Sequence, residues 1–276
     1  MKLLIDVGNT RAKIAWVTPG AAARRSPAQT LDYALLPELA ARLPHRPGEI
    51  LGSNVAGPHI RQQLDQSCQA AWGLAIRWCD TRDGRTLLDN PYADPSRLGA
   101  DRWLGLLGLL DTLSDEPGWR SGHPALLVSF GTATTIDTIL PGDGRARPAF
   151  LGGLILPGPS LMARSLAQGT AQLPLGSGRC VDFPQDTQDA IASGIAAAQA
   201  GALLRQWRLA RQQAQGRAPL VFVCGGGWPA VETAIQAELA RAQDALQLPR
   251  SPARALDGPV LDGLACLAAA VRAPAA

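Results

Sequence analysis

Asp6-Val7-Gly8-Asn9-Thr10, with Lys13 three residues further on, gathers a carboxylate, a glycine, an amide, a hydroxyl and an ammonium into one short stretch. Converging backbone N–H groups bind phosphate oxygens, and glycine lets the backbone come close to them. A carboxylate at the end of a buried strand is costly when unpaired, and magnesium, directly or through water, would satisfy it. The same residues also fit an ordinary hairpin with a surface Asp. A second run, Gly131-Thr132-Ala133-Thr134-Thr135, is dense in hydroxyls and follows another apolar strand. By itself it also reads as a Thr-rich strand with satisfied hydroxyls. Two such tips facing each other would grip a polyphosphate from both sides. Gly225-Gly226-Gly227 offers a backbone-only surface suited to a flat adenine and ribose, or else a tight turn or helix cap. Asp101-Arg102 sets a carboxylate beside a guanidinium where an apolar helical run begins. That pair reads either as chemistry or as a helix-start carboxylate in a local ion pair.

Strands and turns must hold these residues. Residues 3–5 form an apolar strand leading into the first tip, and residues 12–17 leave it with apolar–polar alternation, which predicts a β-hairpin. Residues 126–139 repeat the unit. Laid on the first segment without a gap, Gly8 falls on Gly131 and Asp6 on Ser129, which predicts two structurally related halves. Between them come a strand over 50–55, helical spacing over 59–71, a short strand over 75–79 and a loop opening at Asn90-Pro91-Tyr92. An apolar helix follows over 103–113, with Asp101 near its start. Residues 114–124, rich in Gly, Pro and charge, divide the chain into 1–117 and 118–276. The second half reads as a helix from about 160, a long Ala-rich helix over 189–209, a buried strand over 220–224 and helices over 229–241 and 261–271. Strands alternating with helices predict an α/β class.

Composition narrows the function. Apolar residues make up 46% and charged residues 18%, as in a globular protein with a sizeable core. A net charge of +3, with scattered Arg and no basic run, argues against nucleic acid or an anionic membrane as partner. Five cysteines without a CxxC pair argue for reduced, mostly buried thiols rather than disulfides or zinc. The three histidines lie far apart in Pro/Gly-rich surroundings and read as surface residues. Asp6 interrupts the N-terminal apolar run before a secretory signal can form, and no stretch approaches the roughly 20 apolar residues of a membrane span. With free cysteines, a cytoplasmic location is expected.

Asp6 to Lys13 resembles the first phosphate motif of type III pantothenate kinases, and Gly131-Thr132-Ala133-Thr134-Thr135 resembles their second. Asn90-Pro91-Tyr92 with Gly99-Ala100-Asp101-Arg102 is similar to their pantothenate motif. Gly152 to Gly158, Thr187 with Ala190 to Ile195, and Val223 to Gly227, similar to the adenosine motif, match in order. The resemblance spans nearly the whole chain, and the family includes members described as accessory factors for transcription activation. It implies two ribonuclease-H-like domains of the actin-like ATPase type, ATP in the cleft between them, and a homodimer. It also implies transfer of the ATP γ-phosphate to the 4′-hydroxyl of pantothenate, the first step of coenzyme A synthesis. It assigns Asp6, Val7, Gly8, Asn9, Thr10, Arg11, Ala12, Lys13 and Thr132 to ATP, with Mg2+ at Asp6. Asp101 becomes the base. Tyr92, Gly99, Ala100, Arg102 and Thr187 join it around pantothenate, with Arg102 suited to the substrate carboxylate. One position departs: where these enzymes usually carry an Asp associated with K+ or NH4+, this chain has Ser129. A hydroxyl is the weaker cation ligand, so cation activation is in question. The alternatives are another small-molecule kinase of the superfold, which a substrate screen separates, and a non-catalytic accessory protein, against which Asp6 and Asp101 argue.

Overall fold

The structure, a computed structural model, describes residues 1–18, 25–142, 146–169 and 178–270. Two compact units emerge. The first comprises Met1–Glu116 together with the chain from Asp257 onward, and the second is Pro117–Leu256.

In the first unit, β1 (Lys2–Val7) and β2 (Ala12–Val17) form the expected hairpin. β3 (Gln29–Leu31), β4 (Glu49–Asn54) and β5 (Ile76–Trp78) complete a sheet ordered β3-β2-β1-β4-β5. β1 runs antiparallel to β2 and parallel to β4. Alternation along β1 sends Leu3, Ile5 and Val7 into a core shared with Leu64 and Cys68 of helix α1 (Pro58–Trp72). Leu4 and Asp6 therefore point to the opposite face. That face is covered by α2 (Ala100–Leu113) and α7 (Pro259–Ala270), the helices that contact β4 and β1.

The second unit repeats this plan. After the four-residue turn of helix α3 (Pro117–Arg120) come β6 (Ala125–Phe130), β7 (Ala133–Leu140), β8 (Ala149–Pro157), β9 (Leu220–Cys224) and β10 (Arg254–Ala255). The sheet order β8-β7-β6-β9-β10 matches the first unit strand for strand, as do the antiparallel and parallel pairings. Leu126, Val128 and Phe130 pack with Leu203 and Trp207 of α5 (Thr187–Gln213) and Ile235 and Leu239 of α6 (Glu232–Ala245). Asp186 caps α5 by accepting from the N–H groups of Gln188 and Asp189. Helix α4 (Pro159–Gly169) precedes it. The α/β class and the ribonuclease-H-like repeat are thus both present.

Two details differ from the sequence expectation. The gapless repeat holds only as far as the glycines. Val7 pairs with Ala12 across residues 8–11, whereas Phe130 pairs with Thr134 across residues 131–133, so the second tip is one residue shorter. The halves 1–117 and 118–276 also differ from these units in the last helix. α7 packs on α2 of the first unit through two glycines at a close crossing. A Cβ on Gly108 would lie 2.0 Å from the Pro259 carbonyl oxygen, and one on Gly263 would lie 2.0 Å from that of Leu104.

Candidate active site

Lys13, Asp6 and Ser53 are consecutive ladder partners on β2, β1 and β4 and share one face of the sheet. Burial pushes the Asp6 carboxyl up to about 7; Lys13 opposes the shift and Asp101 adds to it. Asp101 stands in the first turn of α2, near enough for its charge to act on the Asp6 carboxyl. Ser53 is wholly buried, and its hydroxyl has no hydrogen-bond partner.

The first tip is closed by Gly8 N–H donating to the Arg11 carbonyl at 3.2 Å and braced by Tyr33, whose hydroxyl donates to the Gly8 carbonyl. Burial raises the Tyr33 pKa, and the Asp6 charge adds to the effect. Asn9 and Thr10 are exposed at the tip. Val7 and Ala12 are fully buried in the core, so their side chains are not available to a ligand. The Arg11 side chain lies along an exposed contact with Asp32 at 3.5 Å. A Cβ on Gly8 would meet nothing nearer than the Arg11 carbonyl oxygen at 3.5 Å, and Gly8 has no positive φ. Folding therefore does not demand glycine here; what its absent side chain preserves is open space in front of the tip, which suits an approaching phosphate.

At the start of α2, a Cβ on Gly99 would come within 2.7 Å of Asp101 Oδ1, so this glycine makes room for the carboxylate. The same oxygen accepts from the Arg102 N–H at 2.8 Å. Ala100 is the first residue of the helix. The Arg102 side chain is buried and donates to the Tyr92 hydroxyl at 3.2 Å. Asn90 holds the Tyr92 turn through its Oδ1, which accepts from the Tyr92 N–H at 3.0 Å. Asp6, Asp101, Arg102 and Tyr92 thus all belong to the first unit.

In the second unit, the matching row is Thr135, Ser129 and Cys224, all uncharged. Gly131 and Thr132 are exposed at the tip, and a Cβ on Gly131 would meet only the Ala133 carbonyl oxygen at 3.4 Å. Gly158 packs from behind, its N–H donating to the Thr132 carbonyl at 3.0 Å. The triple glycine divides into two roles. Gly225, with φ 98°, and Gly227 press against the Phe130 carbonyl, where a Cβ would sit at 2.4 and 3.1 Å. Gly226 is exposed with nothing within 4 Å of a Cβ, so it alone presents free backbone. Asp137, buried, shares the Ser129 face one row further from the tip, opposite Leu127. Thr187, exposed at the start of α5, lines an open cleft of about 630 Å³ with Met162, Leu166 and Ile191.

Sequence reasoning missed Tyr33 and Ser53. Neither lies in a motif, and only strand register brings Ser53 beside Asp6. All five cysteines are unpaired, but only Cys68 and Cys79 are fully buried. His45 and His59 are exposed, whereas His123 is partly buried, its Nδ1 2.8 Å from the Ala218 carbonyl oxygen. Among the described residues, no helix is long and apolar enough to cross a membrane.

Residues 2–209 match the family model for type III pantothenate kinase. The chain is 48% identical over 275 residues to the type III pantothenate kinase of Bordetella bronchiseptica, covering 98% of both chains. It is 36% identical over 277 residues to that of Leptothrix cholodnii, covering 96% of this chain and 95% of the relative. Among solved structures, it is similar to a Campylobacter jejuni protein described as of the Baf transcriptional-activator family, with a TM-score of 0.56, 18% identity and 98% of both chains covered. It is also similar to the ethanolamine utilization protein EutJ of Carboxydothermus hydrogenoformans, with a TM-score of 0.51, 13% identity and 96% and 89% of the two chains covered. At such identities these structures speak for the fold alone. The two glycine tips, the paired carboxylates and the full-length similarity agree: this chain belongs to the type III pantothenate kinase family.

Proposed function

We propose that this chain transfers the γ-phosphoryl group of ATP to the 4′-hydroxyl of pantothenate. The observation that carries the reading is Asp101 in the first turn of α2, close enough to influence Asp6, with the buried Arg102 bonded to Tyr92 beside it. In this reading Asp101 accepts the hydroxyl proton as the pantothenate oxygen bonds to the γ-phosphorus. The bond from that phosphorus to the β–γ bridging oxygen breaks, and ADP leaves. Such a transfer asks the chain chiefly to position the reactants and offset charge. Arg102 holds the pantothenate carboxylate beside Tyr92, Gly99 and Ala100, and Thr187, on the second unit, serves pantothenate binding from its own cleft. In the first unit the backbone of residues 6–13 and Lys13 bind phosphate; in the second, Thr132 binds phosphate and Gly226 serves adenosine. The open space at Gly8 and the carboxylate of Asp6 suit magnesium nucleotide, with Asp6 as the residue toward the metal. Bound there, magnesium would neutralise phosphate charge.

In the second unit the uncharged row at Ser129 supports weak dependence on K+ or NH4+. Exposed apolar side chains at Ile155, Leu166 and Phe183 support a homodimer in which a second copy covers them. Five unpaired thiols suit the cytoplasm. A coupled ADP-release assay with pantothenate tests the proposal. ADP should appear only when pantothenate is supplied, with 4′-phosphopantothenate formed in equal amount. ADP release that is indifferent to pantothenate would reject it.

A further inference from the structure

One polar group on the Asp6 face of the sheet is wholly buried and unpartnered. Ser53 sits on β4 as the ladder partner of Asp6, on the same face, yet its hydroxyl bonds to nothing. Buried hydroxyls are nearly always paired, because an unpaired one forfeits its bonds to water. A strand interior that needed only to pack would hold Ala here at no such cost. Where a fold keeps a locally unfavourable group, function is the usual reason.

The internal repeat adds a second, independent observation. In the second unit the position of Asp6 is taken by Ser129, and its partner on the neighbouring parallel strand is Cys224. A thiol is a far weaker donor than a hydroxyl. On the parallel-strand side, therefore, a strong donor accompanies the carboxylate, and a weak one stands where the carboxylate is missing. Lys13, on the other side of Asp6, balances its charge from β2. Ser53 is the polar neighbour on the β4 side.

We propose that Ser53 is a positioning residue for Asp6: its buried hydroxyl donates to the Asp6 carboxylate when magnesium nucleotide binds and holds that carboxylate in the orientation the metal requires. The inference rests on the reading of Asp6 given above. A group that orients a metal-facing carboxylate is worth far more to metal affinity than to the fold.

The test is calorimetric titration with a non-hydrolysable ATP analogue, run once with magnesium and once with EDTA. It uses wild type, Ser53→Ala and Ser53→Cys, with thermal denaturation of each. Both variants should bind the magnesium nucleotide about tenfold more weakly, with metal-free binding changed by less than about twofold. Ser53→Ala should melt no lower than wild type, since it removes an unpaired buried hydroxyl. A magnesium advantage kept in both variants would overturn the inference and leave the reading of Asp6 intact. Equal losses with magnesium and EDTA, or a lower melting temperature for Ser53→Ala, would make Ser53 merely structural and overturn it as well. A wild type that binds no better with magnesium would overturn the reading of Asp6 and this inference with it.

Discussion

Asp6 pays for its position at the end of β1 with a carboxyl that burial holds near neutrality, about 7 against an ordinary 3.8. The folded chain therefore keeps a proton that the unfolded chain has released. Stability linked to Asp6 is fully present below the ordinary value and is lost as pH rises toward 7. Asp6→Asn should remove this fall, so that its melting temperature gains on wild type between about pH 4 and 7. Melting profiles that run parallel across that window would contradict the assignment. Ser129 is the other informative single residue. A fixed carboxylate can offset the dehydration of potassium, whereas a hydroxyl dipole does so only in part. Initial rates against potassium, with sodium holding ionic strength, should be flat or shallow in wild type and steeper in Ser129→Asp. Strong potassium dependence in wild type would mean that other groups build the cation site. Asp6, Gly8, Asp101 and Arg102 were legible in the sequence because their types and spacing are unusual. Tyr33 and Ser53 were not, because each acts through a neighbour that only the fold supplies.

The hairpins were legible from alternation and glycine, and the long helices from apolar spacing. β3 and β10 were not, being edge strands of three and two residues without the apolar alternation that marks β5. The shortened second tip also escaped, since both loops begin with glycine and register alone shows the missing residue. The run Gly225-Gly226-Gly227 shows what composition hides: three identical residues do different work. Gly225→Ala sets a Cβ 2.4 Å from the Phe130 carbonyl oxygen at a positive φ, and should cost about 1–3 kcal/mol of stability in a denaturant melt. Gly226→Ala should leave stability unchanged and weaken nucleotide binding instead. The opposite pattern would remove Gly226 from the adenosine surface.

The chain enters the second unit at Pro117 and rejoins the first at Asp257. Arg25 receives the returning segment, with its Nε donating to Asp262 Oδ1 at 2.7 Å and its Nη2 to the Asp257 carbonyl. No local signal in residues 257–276 reveals this return, because the apolar helix alone does not say which helix it meets. The close α2–α7 crossing makes a sharp test. Gly263→Val would drive a side chain into the Leu104 backbone and should destabilise the chain by about 1–3 kcal/mol or more. An unchanged melt would show that α7 can move off α2 without loss. Because α2 also carries Asp101, this packing holds the proposed base in place. Asp101→Asn keeps the shape of that side chain and removes its ability to take a proton. Turnover with saturating ATP and pantothenate should fall roughly 10²- to 10⁴-fold, with ATP affinity preserved. Wild-type turnover in Asp101→Asn would rule out Asp101 as the base.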